Sequence, residues 1–96
     1  MIGADLTGLD LSGFDLTGAN LTRVDLSGAD LFQADLTEII LTWSNMTEVN
    51  VGGANLTGAS LTGANLTEAD LKDAILTGAK LTDVIGADLT GALTDS

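Results

Sequence analysis

Leucine recurs at every fifth position from Leu6 to Leu81, and across these sixteen pentads only Met46 and Val51 replace it. In an α-helix, residues five apart lie about 140° from one another, so these leucines would spiral around the helix. In a flat strand, side chains alternate between the two faces, so an odd period would send successive leucines to opposite faces. The period therefore excludes both an amphipathic helix and a simple sheet.

Both conflicts disappear if each pentad is one short strand followed by a corner. A small or apolar residue stands two positions before each leucine, as Ala4 does before Leu6, and this strand spacing points both side chains the same way. Glycine often follows two positions after the leucine, as at Gly8, where a turn would use its positive φ. The chain has no proline, which would remove donors from the hydrogen bonds between coils. The pattern predicts a solenoid whose coils stack about 4.8 Å apart.

The tandem Ala-Asp-Leu-Thr-Gly and Ala-Asn-Leu-Thr-Gly pentads resemble the pentapeptide repeat family across roughly residues 4–83. The resemblance implies an all-β fold, a right-handed quadrilateral parallel β-helix of about four coils. It also implies that the leucine and the residue two positions before it face inward. We therefore expect residues 1–96 to form a single pentapeptide-repeat solenoid domain.

The repeat changes character at both ends. After the sixteenth pentad the next leucine position holds Gly86, and the pattern resumes three residues late at Leu89, so residues 84–96 are predicted to form a slipped partial coil or a tail. In the first coil, Leu9 and Phe14 replace the usual alanine, and we expect them to plug that end of the column. Because neither end has a clear polar cap, self-association through the coil ends is also expected.

The charge balance limits the classes of function. Three basic residues face fourteen acidic ones, a formal net charge of -11, which argues against direct nucleic-acid binding. The absence of cysteine and histidine removes thiolate metal sites and the commonest general base. The sequence has neither a basic amino-terminal region nor an apolar run long enough to span a bilayer. We expect a soluble, cytoplasmic protein that binds no membrane.

The many carboxylates invite a catalytic or metal-binding interpretation, but the repeat explains them better. Stacking by twenty residues places Asp5 beneath Asp25 on a flat, solvated outer face that has no cleft. Ser44 is the one polar residue at an inward position, and we expect its hydroxyl to donate to a neighbouring carbonyl. The sequence therefore predicts no enzyme activity, no cofactor and no metal site.

On one of the four faces, the stacking gathers residues that the repeat does not explain: Arg23, Ile40, Trp43 and Lys80. Asp83 is the only acidic residue of that face. An exposed apolar pair within an acidic surface is where an interface could exclude water, so these four residues are a candidate protein-interaction patch. The alternative is a local pairing, because the same stacking puts Trp43 directly over Arg23 and its stem could lie against the indole.

Two functions from different classes follow. The first is a non-enzymatic structural or protein-interaction module that presents a rigid acidic rod to a protein partner, which the sequence does not identify. The alternative is a DNA mimic that binds a type II topoisomerase, DNA gyrase, as the resemblance implies for some members of the family. Eleven net charges along a rod of about 20 Å approach the charge density of duplex DNA, but that rod spans only about two-thirds of a helical turn.

Overall fold

The computed structural model describes residues 2–94, and residues 95 and 96 of the predicted tail lie outside the described part. Parallel β-bridges join residues twenty positions apart, beginning with Asp5 to Asp25 and ending with Asn65 to Ile85. Twenty residues make four pentads, so each coil has four sides, and the fold is a right-handed quadrilateral β-helix. The Cα atoms extend over 33 × 26 × 24 Å, so the molecule is closer to a block than to a long rod.

The regular coils are residues 4–23, 24–43, 44–63 and 64–83, here called coils 1 to 4. No residue between 2 and 94 is helical, and each strand is reduced to one bridge residue per side. Sides 1 to 4 are named in chain order. They carry the following inward residues: side 1, Leu6, Leu26, Met46 and Leu66; side 2, Leu11, Leu31, Val51 and Leu71; side 3, Leu16, Leu36, Leu56 and Leu76; side 4, Leu21, Leu41, Leu61 and Leu81.

A pentad in the middle of the column that has Asp or Asn before its leucine position satisfies its five backbone N–H groups in one repeated scheme. In a representative pentad, the amides of Asp25, Leu26 and Gly28 donate to carbonyls of adjacent coils at 3.0, 2.8 and 2.9 Å. The Ser27 amide donates to the Asp25 carboxylate at 3.0 Å. The Ala29 amide closes the turn on the Leu26 carbonyl at 2.9 Å. All five positions of such a pentad use their donor, which explains why the chain contains no proline.

The corner residue of each pentad has a left-handed backbone. Gly28 has a φ of 70°, while the residue before it is not among those with positive φ, which defines a type II turn. A side chain at such a corner costs about 1–2 kcal/mol relative to the ordinary right-handed conformation. Eight corners nevertheless hold a residue other than glycine: Arg23, Gln33, Glu38, Trp43, Glu48, Glu68, Asp73 and Asp83.

The core is a column of leucine and small residues on the inside of the four sides. It is closed to water from coil 2 through most of coil 4, and Leu56 is 0% exposed. In coil 1, Leu6, Leu11 and Leu16 are only partly buried because a coil covers them on one side alone. Burial of this kind contributes about 25 cal/mol per Å² of apolar surface, which is the main force that holds the coils together.

Ser44 does not make the hydrogen bond that the sequence led us to expect. It is 2% exposed, and its Oγ has no partner. The prediction was wrong because the nearby carbonyls are already directed elsewhere. The Leu41 carbonyl accepts from the Ser44 amide in the turn at 3.1 Å, and the Ser44 carbonyl accepts from the Asn65 amide of the next coil at 3.0 Å.

Replacing Ser44 by the alanine common at this position should therefore stabilise the protein. An unsatisfied buried hydroxyl costs about 1–3 kcal/mol, and Ser44→Ala removes it with little change in volume. We expect the free energy of unfolding in urea to rise by about 1–2 kcal/mol. Ser60→Ala, at a half-buried outer position, is the matched control. A Ser44→Ala variant less stable than the wild type would show that the hydroxyl has a partner.

The carboxy-terminal coil is shortened by two residues. Ile85 still pairs with Asn65, but Ile75 pairs with Leu93, eighteen residues on instead of twenty. Leu89 is half-buried against the core, so the shortened side returns a leucine to the column. Residues 84–94 thus cover the end of coil 4 as a partial coil in a shifted register.

The amino-terminal end is not closed in the way that the sequence suggested. Leu9 and Phe14 stand at inward positions of coil 1, but they are 44% and 51% exposed. No described residue packs beneath them, so large side chains at these positions add apolar surface to the end instead of sealing it from water.

Candidate functional site

Stacked aspartates dominate the outer surface of the first two coils. Asp5, Asp10 and Asp15 each form a parallel bridge with the aspartate of coil 2 directly above. Each accepts from the amide two residues later at 3.0 Å and from the hydroxyl of that residue at 2.5–2.7 Å. These hydroxyl bonds, followed by the backbone bonds, lower the pKa of the three carboxyl groups below the usual value. The carboxylates thus cap turns.

The aspartate ladder is only two coils tall. Asn45, Asn50 and Asn55 occupy the equivalent positions of coil 3, and their amide oxygens accept the same turn bonds. Within residues 2–94, no group of three acidic side chains is arranged to hold a metal ion, and no cavity opens into the column. The same residues contain no helix that is long and apolar enough to span a membrane.

Side 4 differs from the other three because it lacks the acidic residues that cap their turns. Its bridge positions are occupied by Asn20, Ile40, Ser60 and Lys80, joined in that order. Ile40 is 37% exposed, and its side chain has no oxygen to accept from the amide of Thr42 in the turn that follows. The hydroxyl of Thr42 instead lies 3.0 Å from the Ser60 hydroxyl in the next coil. The bridge positions of side 4 are therefore a mixture of polar, apolar and basic residues, with no carboxylate among them.

The corner column that follows side 4 contains Arg23, Trp43, Gly63 and Asp83, one from each coil. Their φ values are 61°, 59°, 71° and 61°. Backbone bonds of 2.8–2.9 Å hold this register, since the amides of Arg23, Trp43 and Gly63 each donate to the coil above. Arg23 and Trp43 are thus neighbours, as predicted, and Ile40 lies in the same coil as Trp43. Lys80 lies two coils above Ile40.

The indole of Trp43 contacts a neighbour that the sequence did not indicate. A Cβ placed on Gly63 would stand 2.2 Å from Cε3 and 2.4 Å from Cζ3 of the indole, so the ring lies directly on this glycine. Gly63 is buried as a result, while Trp43 itself remains 52% exposed. The expected contact was with Arg23, one coil below. Corner side chains lean towards the carboxy-terminal end, as Gln33 does towards Gly53, and the same lean would direct Arg23 towards Trp43, so the pairing of these two residues stays a prediction.

Gly63 is the neighbour of Trp43 that sequence reasoning missed, although the chain carries a signal for it. Phe32, another large exposed side chain in the middle of the molecule, also lies against a glycine twenty residues later, Gly52. A bulky outer residue followed by glycine at a distance of one coil therefore marks a place where the fold makes room for that side chain.

The chain has relatives in sequence pattern and in structure. The family model for Pentapeptide repeats matches residues 1–37 and 44–83, in eight copies. A pentapeptide repeat protein from the thylakoid lumen of Arabidopsis thaliana is 32% identical with a TM-score of 0.68, over 91% of this chain and 66% of that one. A pentapeptide repeat protein from Nostoc PCC 7120 is 27% identical with a TM-score of 0.65, over 97% and 82%.

The chain thus spans just under two-thirds of the Arabidopsis protein. QnrB1, a plasmid-mediated fluoroquinolone resistance protein, matches at 22% identity with a TM-score of 0.38, over 99% of this chain and 61% of that one. No curated protein sequence matches the chain. The coil of four pentads, the inward leucines and the family match together lead to one conclusion. The chain belongs to the pentapeptide repeat family.

Proposed function

We propose that this protein is a non-enzymatic interaction module that binds a protein partner through the side-4 patch, defined as Arg23, Ile40, Trp43 and Lys80. The observation that supports this most is the state of Trp43. An indole 52% exposed to water is held at a corner where the backbone favours glycine. The filled inner column supports the non-enzymatic part of the proposal.

Stability of the fold does not account for this tryptophan. The left-handed conformation costs about 1–2 kcal/mol for a residue other than glycine, and the repeat offers glycine at many equivalent corners. Strained residues of this kind gather at functional sites, where another requirement outweighs the strain. The segment 38–43, which holds Ile40 and Trp43, is also the interior stretch that the family match leaves out.

The distribution of charge favours the same surface. Arg23 and Lys80 are two of the three basic residues in the chain, and side 4 with its corner holds a single acidic residue, Asp83. Tryptophan and arginine are the residues most enriched among those that dominate binding energy at interfaces. The patch therefore combines an aromatic anchor with the least acidic part of the surface.

The double variant Ile40→Asn/Trp43→Gly tests the proposal. Asparagine restores an oxygen that caps the turn at Thr42, and glycine relieves the corner, so we expect an unchanged or higher melting temperature. Binding should be lost. The measurement compares proteins captured from a lysate by immobilised wild type and variant, with identification by mass spectrometry.

Phe32→Thr is the matched control, because it also removes an exposed aromatic ring and restores the repeat, but on side 2. This control should capture the same proteins as the wild type. Equal capture by the double variant, or equal loss with Phe32→Thr, would mean that side 4 is not the docking surface.

DNA mimicry remains the second candidate, and the stacked aspartates of coils 1 and 2 are what favour it. Their charge lies on three sides of a block whose largest extent is 33 Å, about one helical turn of duplex DNA. The ladder of stacked aspartates ends at the asparagines of coil 3, although Glu48, Glu68, Asp70 and Asp73 carry acidic side chains into coils 3 and 4. Inhibition of DNA gyrase supercoiling by the purified protein would favour mimicry over the side-4 patch.

A further inference from the structure

We infer that the partner of the side-4 patch is a second copy of this chain, packed side 4 against side 4 in an antiparallel two-fold dimer. This inference rests on the proposed function and gives it a partner. It comes from the order of residues along side 4. When a second copy is turned upside down against this side, its residues face ones of suitable charge or size.

The corner column shows the complementarity most clearly. Read from coil 1 to coil 4 it is Arg23, Trp43, Gly63 and Asp83. A two-fold axis perpendicular to the coil axis, passing between coils 2 and 3, reverses this order in the second copy. Arg23 then faces Asp83 of the second copy at both edges of the contact. A C2 interface has this property, since each residue meets a partner that meets it in return.

The centre of the column suits an aromatic contact. The indole of Trp43 leans onto Gly63, which brings the ring from coil 2 towards the level where the axis would pass. The two rings related by the axis therefore meet near the centre of the interface, with Gly63 of each copy leaving room beside them. Aromatic anchors at the centre, surrounded by polar contacts, are the usual arrangement of a binding hot spot.

The bridge column agrees with this pairing. Under the same axis, Ile40 faces Ser60 of the second copy, and Lys80 faces Asn20, so large residues meet small ones and no like charges meet. A two-fold axis parallel to the coil axis would instead place Lys80 against its own copy. The antiparallel arrangement is thus the one that the charges permit.

Each of the other three sides would bring more acidic than basic residues into such a contact, and sides 1 and 3 have no basic residue at all. Antiparallel packing of side 2, for example, would put Asp10 opposite Asp70 of the second copy. For a chain with a formal net charge of -11, side 4 is the surface on which two copies can approach with least repulsion.

The size of the side predicts a weak dimer. Any face of a block of 33 × 26 × 24 Å covers roughly 600 to 850 Å², and a flat contact buries only part of that area, which is less than the about 800 Å² per partner of stable complexes. We therefore expect monomer and dimer to exchange at concentrations of about 20 µM to 1 mM. Sedimentation equilibrium measures the dissociation constant over this range.

Charge reversal at the two edge residues is the test. Arg23→Asp makes the chain more acidic and Asp83→Arg makes it less acidic, yet each should weaken the homodimer at least tenfold, because each places like charges at both edges. General repulsion would instead move the two variants in opposite directions. A 1:1 mixture of the two variants should regain the wild-type constant, since every edge of the mixed dimer joins an acidic to a basic residue.

The two positions do not influence one another within one chain, because three coils separate them by about 14 Å, beyond the Debye length of about 10 Å at 0.1 M salt. Lys72→Asp and Asp73→Arg are the matched controls on side 2 and its corner, and both should dimerise as the wild type does after correction for net charge. Circular dichroism checks that every variant is folded.

A wild type that stays monomeric to about 1 mM, or a mixture that does not recover, overturns the second-copy proposal. The docking surface itself would still be decided separately by the capture experiment with Ile40→Asn/Trp43→Gly. Retained self-association in both charge variants would place the contact elsewhere, such as at the coil ends.

Discussion

Leu56→Asp is expected to leave the protein largely unfolded. Leu56 is 0% exposed in coil 3, with complete coils on both sides of it. A carboxylate at that position would be buried among apolar side chains with no partner, at a cost of several kcal/mol. A domain of this size has a total stability of about 5–15 kcal/mol, so one such change removes most of it. Urea unfolding followed by circular dichroism measures the loss.

Thr57→Asp, one residue further on, is the control for this substitution. Thr57 lies on the outer surface, where its hydroxyl donates to the Asn55 side chain at 2.6 Å. Its replacement loses about one hydrogen bond, worth about 1 kcal/mol, while the new carboxylate stays in water. Equal loss of stability in the two variants would contradict the inward direction of Leu56.

Gly63→Ala is expected to be far more damaging than the same change at another glycine corner. Gly18 has nearly the same φ, 70° against 71°, but a Cβ at Gly18 would meet nothing within 4 Å. Gly18→Ala should therefore cost only the left-handed penalty of about 1–2 kcal/mol. Gly63→Ala must also displace the indole of Trp43, which adds about 1–3 kcal/mol.

A double-mutant cycle isolates the cost of displacing the indole from the left-handed penalty. In a Trp43→Gly background the indole is gone, so Gly63→Ala should cost no more than Gly18→Ala does in the wild type. The cycle compares the free energies of unfolding in urea of the wild type, the two single variants and the double variant. If the penalty at Gly63 persists without the indole, the ring does not lie on this glycine in solution.

Most of the fold could be predicted from the sequence because one period determines every side. The spacing of five residues excluded helix and flat sheet, and the resemblance to the pentapeptide repeat family supplied the four-sided coil, which is confirmed. Glycine at the corner of the turn was also predictable, and Gly8 has a φ of 69°. These features depend only on the register of the chain.

Features that depend on the direction of a single side chain were not predictable. The period places Trp43 above Arg23, but it does not say that the corner side chain leans towards the next coil and covers Gly63. The Ser44 hydroxyl lacks a partner because the axial bonds already use the nearby carbonyls, which becomes visible only when all of those bonds are traced. The four residues of the side-4 patch remain a prediction as a binding site.

The register of the shortened last coil could not be predicted from the repeat either. The sequence shows that the leucine pattern resumes three residues late, but not which side absorbs the change. In the structure, Ile75 pairs with Leu93, so the coil between them has eighteen residues and not twenty. Backbone pairing restores the register there, because unpaired donors and acceptors at a buried coil edge would cost free energy.

The most direct test of the side-4 surface is a dilution series of ¹⁵N-labelled protein observed by amide NMR. We predict that the indole N–H of Trp43 and the amides of Thr42 and Thr62 shift with concentration between about 20 µM and 1 mM, while the amides of the acidic sides do not. Shifts confined to Leu9 and Phe14 at the end of coil 1, or no shifts at all, would contradict self-association through side 4.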